Sequence, residues 1–121
     1  HCYIGDPDVQ VHNVNPQFWE ERLRTITKNY DKVIMLGNSL GGTASLMYAD
    51  LADEIISFDA VPYPKEHPVD CQVQHTLKNC QTPITMIAGD DDVVYAREIA
   101  ELRGNIKVVH LSNKKHSEAV V

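Results

Sequence analysis

A chain of 121 residues, 43% hydrophobic and 23% charged, has the size and composition of one globular domain with a single packed core. Its 17 acidic residues outnumber 11 scattered basic ones, giving a net charge of −6, which argues against nucleic acid or an anionic membrane surface as a partner. The sequence contains no apolar run long enough for a membrane span and no visible signal-peptide core.

The three cysteines, Cys2, Cys71 and Cys80, form neither a disulfide framework nor a metal-ligand pattern. A disulfide between Cys71 and Cys80 is one alternative, but two free thiols in an intracellular protein are the favoured interpretation. Because histidines and cysteines are too dispersed for tetrahedral ligation, we expect no metal site.

The N-terminal third predicts a strand, a helix and a second strand. Residues 3–4 end a short strand that Gly5-Asp6-Pro7 terminates. Asn15-Pro16 has the pattern of an N-cap followed by a first-turn proline, and the helix it opens has apolar residues at every third to fifth position between 18 and 26. Residues 32–36 include four consecutive apolar residues, which is typical of a parallel strand covered on both faces.

The rest of the chain alternates between helical and strand patterns. The predicted helices are 40–53, a short one at 72–78 within the irregular stretch 60–82, and 94–103, with Gly104 as its C-terminal cap. The predicted strands are 54–58, 84–88 and 106–111. Residues 116–121 have the pattern of an opening helix. The fold class is therefore α/β, with a mostly parallel sheet of about five strands and flanking helices.

A motif that carries chemistry lies between the strand at 32–36 and the following helix. Residues 37–41, Gly-Asn-Ser-Leu-Gly, match the pattern G-x-S-x-G, in which a serine occupies a tight and strained strand-to-helix turn. The strand and helix pass close together there, so the flanking positions must be small. Gly37 and Gly41 meet that need, and Gly42 adds room. Ser39 is therefore the candidate nucleophile.

The residue after the serine contributes to the same site. The N–H of Leu40 is a predicted oxyanion-hole donor at a helix N-terminus, where negative charge is stabilised. A phosphate-binding turn is the alternative, but the G-x-G-x-x-G and Walker spacings are absent.

On this motif and its strand–helix context, the sequence resembles the α/β-hydrolase superfamily, in the C-terminal part of the fold that contains the nucleophile elbow. The resemblance implies the chain order nucleophile, acid, base. The family acid follows the second strand after the elbow strand, as a glycine, two variable residues and an aspartate. Here that stretch is Gly89-Asp90-Asp91-Asp92, which assigns the acid to Asp92, with Asp90 and Asp91 as alternatives.

The resemblance places the base on the loop after the final strand, where His116 lies. His110 falls within that strand, and strand alternation predicts that it packs into the sheet. The other histidines (His12, His67 and His75) lie in loop or irregular segments.

The resemblance implies a serine hydrolase acting on a small ester, thioester or related acyl substrate, with no cofactor. His116 would take the Ser39 proton, Asp92 would orient the imidazole, and water would hydrolyse the acyl-enzyme. The alternative is a catalytically idle hydrolase-like domain that serves as a structural or interaction subunit of a larger assembly. A nucleotide-binding domain is a third and less favoured hypothesis, because the sequence contains no phosphate-cradling loop. The aspartates at 90–92 lack the alternating ligands and closing glutamate of a calcium loop.

The resemblance also predicts an incomplete sheet. A full family core has eight strands, and the strand before the second oxyanion donor lies upstream of residue 1 and would pair beside the elbow strand. A vacancy there would leave backbone groups unpaired. A longer polypeptide, a shifted first strand or a protein partner would fill it. The missing initial Met and unfinished last helix favour one partial domain, 1–121, of a longer chain. The segment 60–82, at the cap position, is too short for a large lid and predicts an open site.

Overall fold

The computed structural model of the chain describes residues 16–118 and has an α/β architecture. The elements follow in this order: α1 Pro16–Thr27, β1 Ile34–Asn38, α2 Leu40–Met47, a 3₁₀ turn Ala49–Leu51, β2 Glu54–Phe58, α3 Pro68–Lys78, β3 Ile84–Ala88, α4 Val93–Ala100 and β4 Ile106–His110. None of the helices between residues 16 and 118 is long and apolar enough to cross a bilayer.

The four strands form one parallel sheet in the order β1-β2-β3-β4. Helix α2 packs on β1, β2 and α3, and α4 packs on β3 and β4. Because all four strands run in the same direction, the residues that follow them lie along one edge of the sheet. That edge carries every candidate catalytic residue.

The core lies between the central strands and the helices. Alternate residues of β2 and β3 are buried, among them Ile55 and Met86, and the helices contribute fully buried side chains such as Leu46, Val73 and Ile99. Burying each such aliphatic side chain contributes about 1.5–3 kcal/mol to folding. The segment 60–82 therefore belongs to the core through α3 and does not form a separate lid.

The strand predictions hold closely for β2 and β3, whose bounds match the expected residues, whereas three helix boundaries differ. Helix α2 ends at Met47, because Tyr48 leaves the helical conformation and a 3₁₀ turn follows. Helix α3 begins at Pro68, four residues early, because proline suits a first helical turn and His67 Nδ1 accepts the Val69 N–H at 3.1 Å. Helix α4 ends at Ala100, and the left-handed residue beyond it is Asn105 rather than Gly104.

Several predictions lie outside the described residues. These are the strand at 3–4 with its turn, the Asn15 cap, Cys2, His12 and the end of the helix expected over 116–121. Within residues 16–118 the sheet has four of the five predicted strands, since the strand predicted at 3–4 lies outside these residues. Cys71 is an exposed free thiol and Cys80 a half-buried one, so these two cysteines form no disulfide.

Candidate active site

Ser39 occupies the turn between β1 and α2 with a strained backbone. Its φ of 58° and ψ of −119° lie where a residue with a Cβ pays about 1–3 kcal/mol. Two hydrogen bonds hold it there: the Ser39 N–H donates to the Phe58 carbonyl at 2.9 Å, and the Thr43 N–H donates to the Ser39 carbonyl at 3.2 Å. The turn is thus held by both β2 and α2, and the serine lies at the carboxyl edge of the sheet.

The glycines around Ser39 show where the turn is crowded. A Cβ on Gly37 would lie 2.1 Å from the Gly41 carbonyl oxygen, and one on Gly42 would lie 2.8 Å from Ser57 Oγ. A Cβ on Gly41 would meet no described atom within 4 Å. The expectation for Gly41 is therefore corrected: the close approach requires small residues at positions 37 and 42, and position 41 contributes its backbone to the contact.

His116 connects the serine to an acid. Its Nε2 lies 2.9 Å from Ser39 Oγ, and its Nδ1 lies 2.7 Å from Asp92 Oδ2. Because a carboxylate only accepts hydrogen bonds, this partner assigns the proton to Nδ1 and leaves Nε2 free to accept the serine O–H. The structure therefore brings together the three residues that the family chain order assigned. Ser39 and His116 are 77 positions apart in the sequence.

Asp92 is largely buried and immediately precedes α4. Although it holds the N-cap position, its side chain makes no capping hydrogen bond; instead, its carboxylate accepts from His116. Burial is the largest influence on the pKa of Asp92 and raises it, the hydrogen bond and charge of His116 lower it, and nearby Asp59 raises it further. The net pKa lies above the ordinary value of 3.8.

The three consecutive aspartates have three different partners. Asp90 accepts from His110 Nε2 at 2.8 Å and from the Asn113 N–H at 3.0 Å. Asp91 accepts the backbone N–H of His116 at 3.1 Å. Only Asp92 among them contacts the imidazole ring, so the geometry favours Asp92 over its two neighbours as the acid.

His110 departs from its prediction. It is the last residue of β4 and is exposed, with its imidazole on Asp90 rather than packed into the sheet. Strand alternation fails there because the strand ends at His110 and the side chain reaches the neighbouring turn. His67 caps α3 and His75 lies exposed on α3, so neither joins the Ser39 site.

Asp59 is a buried acidic residue that no motif in the sequence predicted as part of the site. It follows β2 directly with a φ of 47° and is fully buried. Its Oδ1 accepts the Gly89 N–H at 2.9 Å, while its Oδ2 has no hydrogen-bond partner among the described residues. Its position directly after a strand, at the same edge of the sheet as Asp92, could have predicted that Asp59 lies near the site.

The start of α2 supplies a donor for negative charge. Leu40 is the first residue of that helix, so its N–H has no acceptor within the helix. The positive end of the helix dipole lies at the same point. Across residues 16–118, no three His, Cys, Asp or Glu side chains are grouped to hold a metal ion.

Two solved structures are similar to the chain in overall fold. A predicted CIB-like hydrolase from Thermoplasma acidophilum superimposes with a TM-score of 0.60 at 16% identity, over 92% of this chain and 52% of that one. MGS-MChE2, an α/β hydrolase enzyme from the metagenome of sediments from the lagoon of Mar Chica, Morocco, gives a TM-score of 0.61 at 17% identity, over 83% and 60%. The chain has an α/β-hydrolase fold.

The resemblance drawn from the elbow motif is thereby confirmed for the fold. The chain spans only about half to three fifths of the length of those two structures. No family model and no curated protein matches its sequence.

Proposed function

We propose that this protein is a serine hydrolase that acts on an ester, thioester or related acyl substrate through Ser39, His116 and Asp92. The observation that carries the proposal is the continuous hydrogen-bonded path from Ser39 Oγ through the imidazole to Asp92, with contacts of 2.9 and 2.7 Å. Both distances lie within the range expected of a nucleophile, its base and the group that orients the base.

The geometry supports acyl transfer in two steps. As Ser39 Oγ attacks the acyl carbon, His116 Nε2 takes its proton and the carbonyl oxygen gains negative charge near the Leu40 N–H. The imidazolium then gives its proton to the leaving group. In the second step a water molecule attacks the acyl-enzyme, with His116 again as the base, and Ser39 is regenerated.

Asp92 supports both steps by its contact with Nδ1. Its carboxylate holds the imidazole in the tautomer that accepts from serine and stabilises the positive charge that forms on the ring. Because Asp92 is buried, its carboxylate is poorly solvated, which raises its pKa. A neighbouring imidazolium therefore interacts with it more strongly than in water.

A second candidate function is an idle hydrolase-like domain that acts as a subunit of a larger assembly. Two observations favour it. Among residues 16–118 one oxyanion donor, the Leu40 N–H, is placed for the reaction, and loss of one such donor typically lowers turnover about 10²- to 10³-fold. In addition, β1 lies at the edge of the described sheet with Ile34 47% and Leu36 66% exposed. A partner or a further segment that completes the sheet there would cover these apolar side chains.

Labelling of the full-length protein with a fluorophosphonate distinguishes the two candidates. We expect mass spectrometry to find the label on Ser39, with no label in Ser39→Ala and unchanged labelling in Ser112→Ala, an exposed serine of the loop before His116. Hydrolysis of p-nitrophenyl acetate is expected to follow the same pattern. Absence of label on the wild-type protein, together with equal hydrolysis by wild type and Ser39→Ala, would leave the idle domain as the function.

A further inference from the structure

The turn after β3 and the loop after β4 touch along their backbones. The Asp90 N–H donates to the Lys114 carbonyl at 2.7 Å, and a Cβ on Gly89 would lie only 2.3 Å from the same oxygen. The loop that presents His116 therefore lies directly against the turn that carries the acid.

The side chain of Asp90 spans the beginning of that loop. Its Oδ1 accepts from His110, the last residue of β4, and its Oδ2 accepts from the N–H of Asn113. Asn113 has a φ of 64°, the left-handed conformation at which the loop turns. One carboxylate thus joins the end of the strand to the turn that redirects the chain towards the base.

The side chain of Asp91 acts on the base itself. Its Oδ2 accepts the backbone N–H of His116 at 3.1 Å, while Asp92 holds the ring of the same residue. Residues 112–116 are all exposed, so apolar packing does not position them. Polar contacts hold the loop instead, and those nearest the imidazole are the hydrogen bonds that Asp91 and Asp92 accept from His116.

We propose that Asp91 and Asp90 are positioning residues for the base: Asp91 anchors the backbone of His116, and Asp90 anchors the turn that leads to it. The proposal rests on the proposed function of the Ser39 site. The imidazole must stay within hydrogen-bond distance of Ser39 Oγ, and a displacement of about 1 Å lowers the rate of such a reaction up to about 10²-fold.

Steady-state hydrolysis of p-nitrophenyl acetate by the full-length protein tests the two roles. We expect Asp91→Ala to lower kcat about 10- to 100-fold with little change in KM, because the base is misplaced while the substrate site is intact. Asp91→Asn keeps an oxygen that accepts the His116 N–H, so most of the activity is expected to return. Asp90→Ala should lower kcat less than Asp91→Ala, since it acts three residues away. Asp31→Ala is the matched control, because it removes an exposed aspartate that is far from Asp91 in the sequence.

A second measurement needs no turnover. In the proton NMR spectrum we expect a low-field resonance from the His116 Nδ1 proton that is lost in Asp91→Ala and retained in Asp91→Asn. The amide resonances of the sheet measure the folded fraction of each variant. Each kcat is then divided by that fraction. A wild-type kcat and an intact low-field resonance in Asp91→Ala would overturn the proposal, as would equal losses in Asp91→Ala and Asp91→Asn. If instead Ser39→Ala hydrolyses the ester as well as wild type, the proposed function fails, and the NMR comparison still decides whether Asp91 positions His116.

Discussion

The two sides of the Ser39–His116 hydrogen bond are held in place by different forces. The elbow around Ser39 is fixed by packing: Gly37 touches the Gly41 carbonyl, and buried Thr43 exchanges hydrogen bonds of 2.7 and 3.0 Å with Val61. The loop that carries His116 is exposed and is fixed by carboxylates. One hydrogen bond therefore joins a part of the fold that cannot move without loss of the core to a part that depends on a few polar contacts.

Substitutions on the two sides should therefore have different consequences. Interiors are close-packed, so a steric change at the elbow spreads into the sheet and lowers the free energy of unfolding. Exposed hydrogen bonds contribute little to that free energy but determine geometry. We therefore expect substitutions in the elbow to lower mainly the free energy of unfolding. Substitutions in the loop that carries His116 should lower mainly the activity.

The largest effect is expected from Gly37→Ala. Its new Cβ would lie 2.1 Å from a backbone oxygen that has no free direction to move, so we expect a loss of about 3 kcal/mol or more in the free energy of unfolding. Urea denaturation followed by circular dichroism measures it. Gly41→Ala, where nothing described lies within 4 Å, is the matched control and should change stability by less than about 1 kcal/mol. Equal losses in the two variants would show that the Gly37 contact is not what makes the elbow rigid.

Removal of the His116 imidazole should lower activity much more than stability. We expect His116→Ala to lower kcat by about 10²- to 10⁴-fold, because the serine loses its proton acceptor. Its melting temperature should stay close to that of the wild type, since the side chain is exposed. Ester hydrolysis and thermal melting on the same samples measure both. A large fall in melting temperature would contradict the division between a packed elbow and a polar loop.

The strain at Ser39 should appear as a smaller stability effect. Ser39→Ala keeps a Cβ at a φ of 58°, whereas Ser39→Gly removes it, so the glycine variant should be more stable by up to about 1 kcal/mol. The gain in stability is limited because glycine also raises the conformational entropy of the unfolded chain. Both variants lack the nucleophile, so their difference in urea denaturation isolates the backbone. An alanine variant as stable as the glycine one would mean that the elbow stores no strain.

The smallest expected change concerns the acid. Because Asp59 raises the pKa of Asp92, we expect Asp59→Asn to lower it, as a carbon NMR titration of the Asp92 carboxyl would measure. A raised folded-state pKa means that the stability contributed by Asp92 is present below 3.8 and is lost as the pH rises through that folded-state pKa. Asp59→Asn should reduce this loss. Asp31→Asn is the control and should leave the Asp92 titration unchanged.

Much of the site could be predicted because its parts depend on local pattern. The four-residue apolar run predicted a strand before the elbow, and β1 lies there, although it is an edge strand of the described sheet with Ile34 and Leu36 exposed rather than a strand covered on both faces. The glycine spacing predicted the turn that holds Ser39. The family resemblance placed the acid after β3 and the base after β4, which parallel strands bring to the same edge of the sheet as Ser39. The contacts at 2.9 and 2.7 Å agree with that expectation.

Other features depend on contacts between segments far apart in sequence. The crowding at Gly42 comes from Ser57, fifteen positions later, so the motif at 37–41 could not reveal it. The buried position of Asp59 depends on the Gly89 N–H that it accepts.

The alternation of strands and helices and the elbow could be predicted from the sequence, because each follows from residue spacing within one or two elements. The chain order of the candidate partners of Ser39 came from the family resemblance. The tertiary structure was needed to establish which group each of Asp90, Asp91 and Asp92 contacts. Adjacent aspartates are chemically identical, and they differ only in which group of the loop at 110–116 each side chain reaches. That choice is made by the packing of one turn against another more than 20 residues away, which no local pattern encodes.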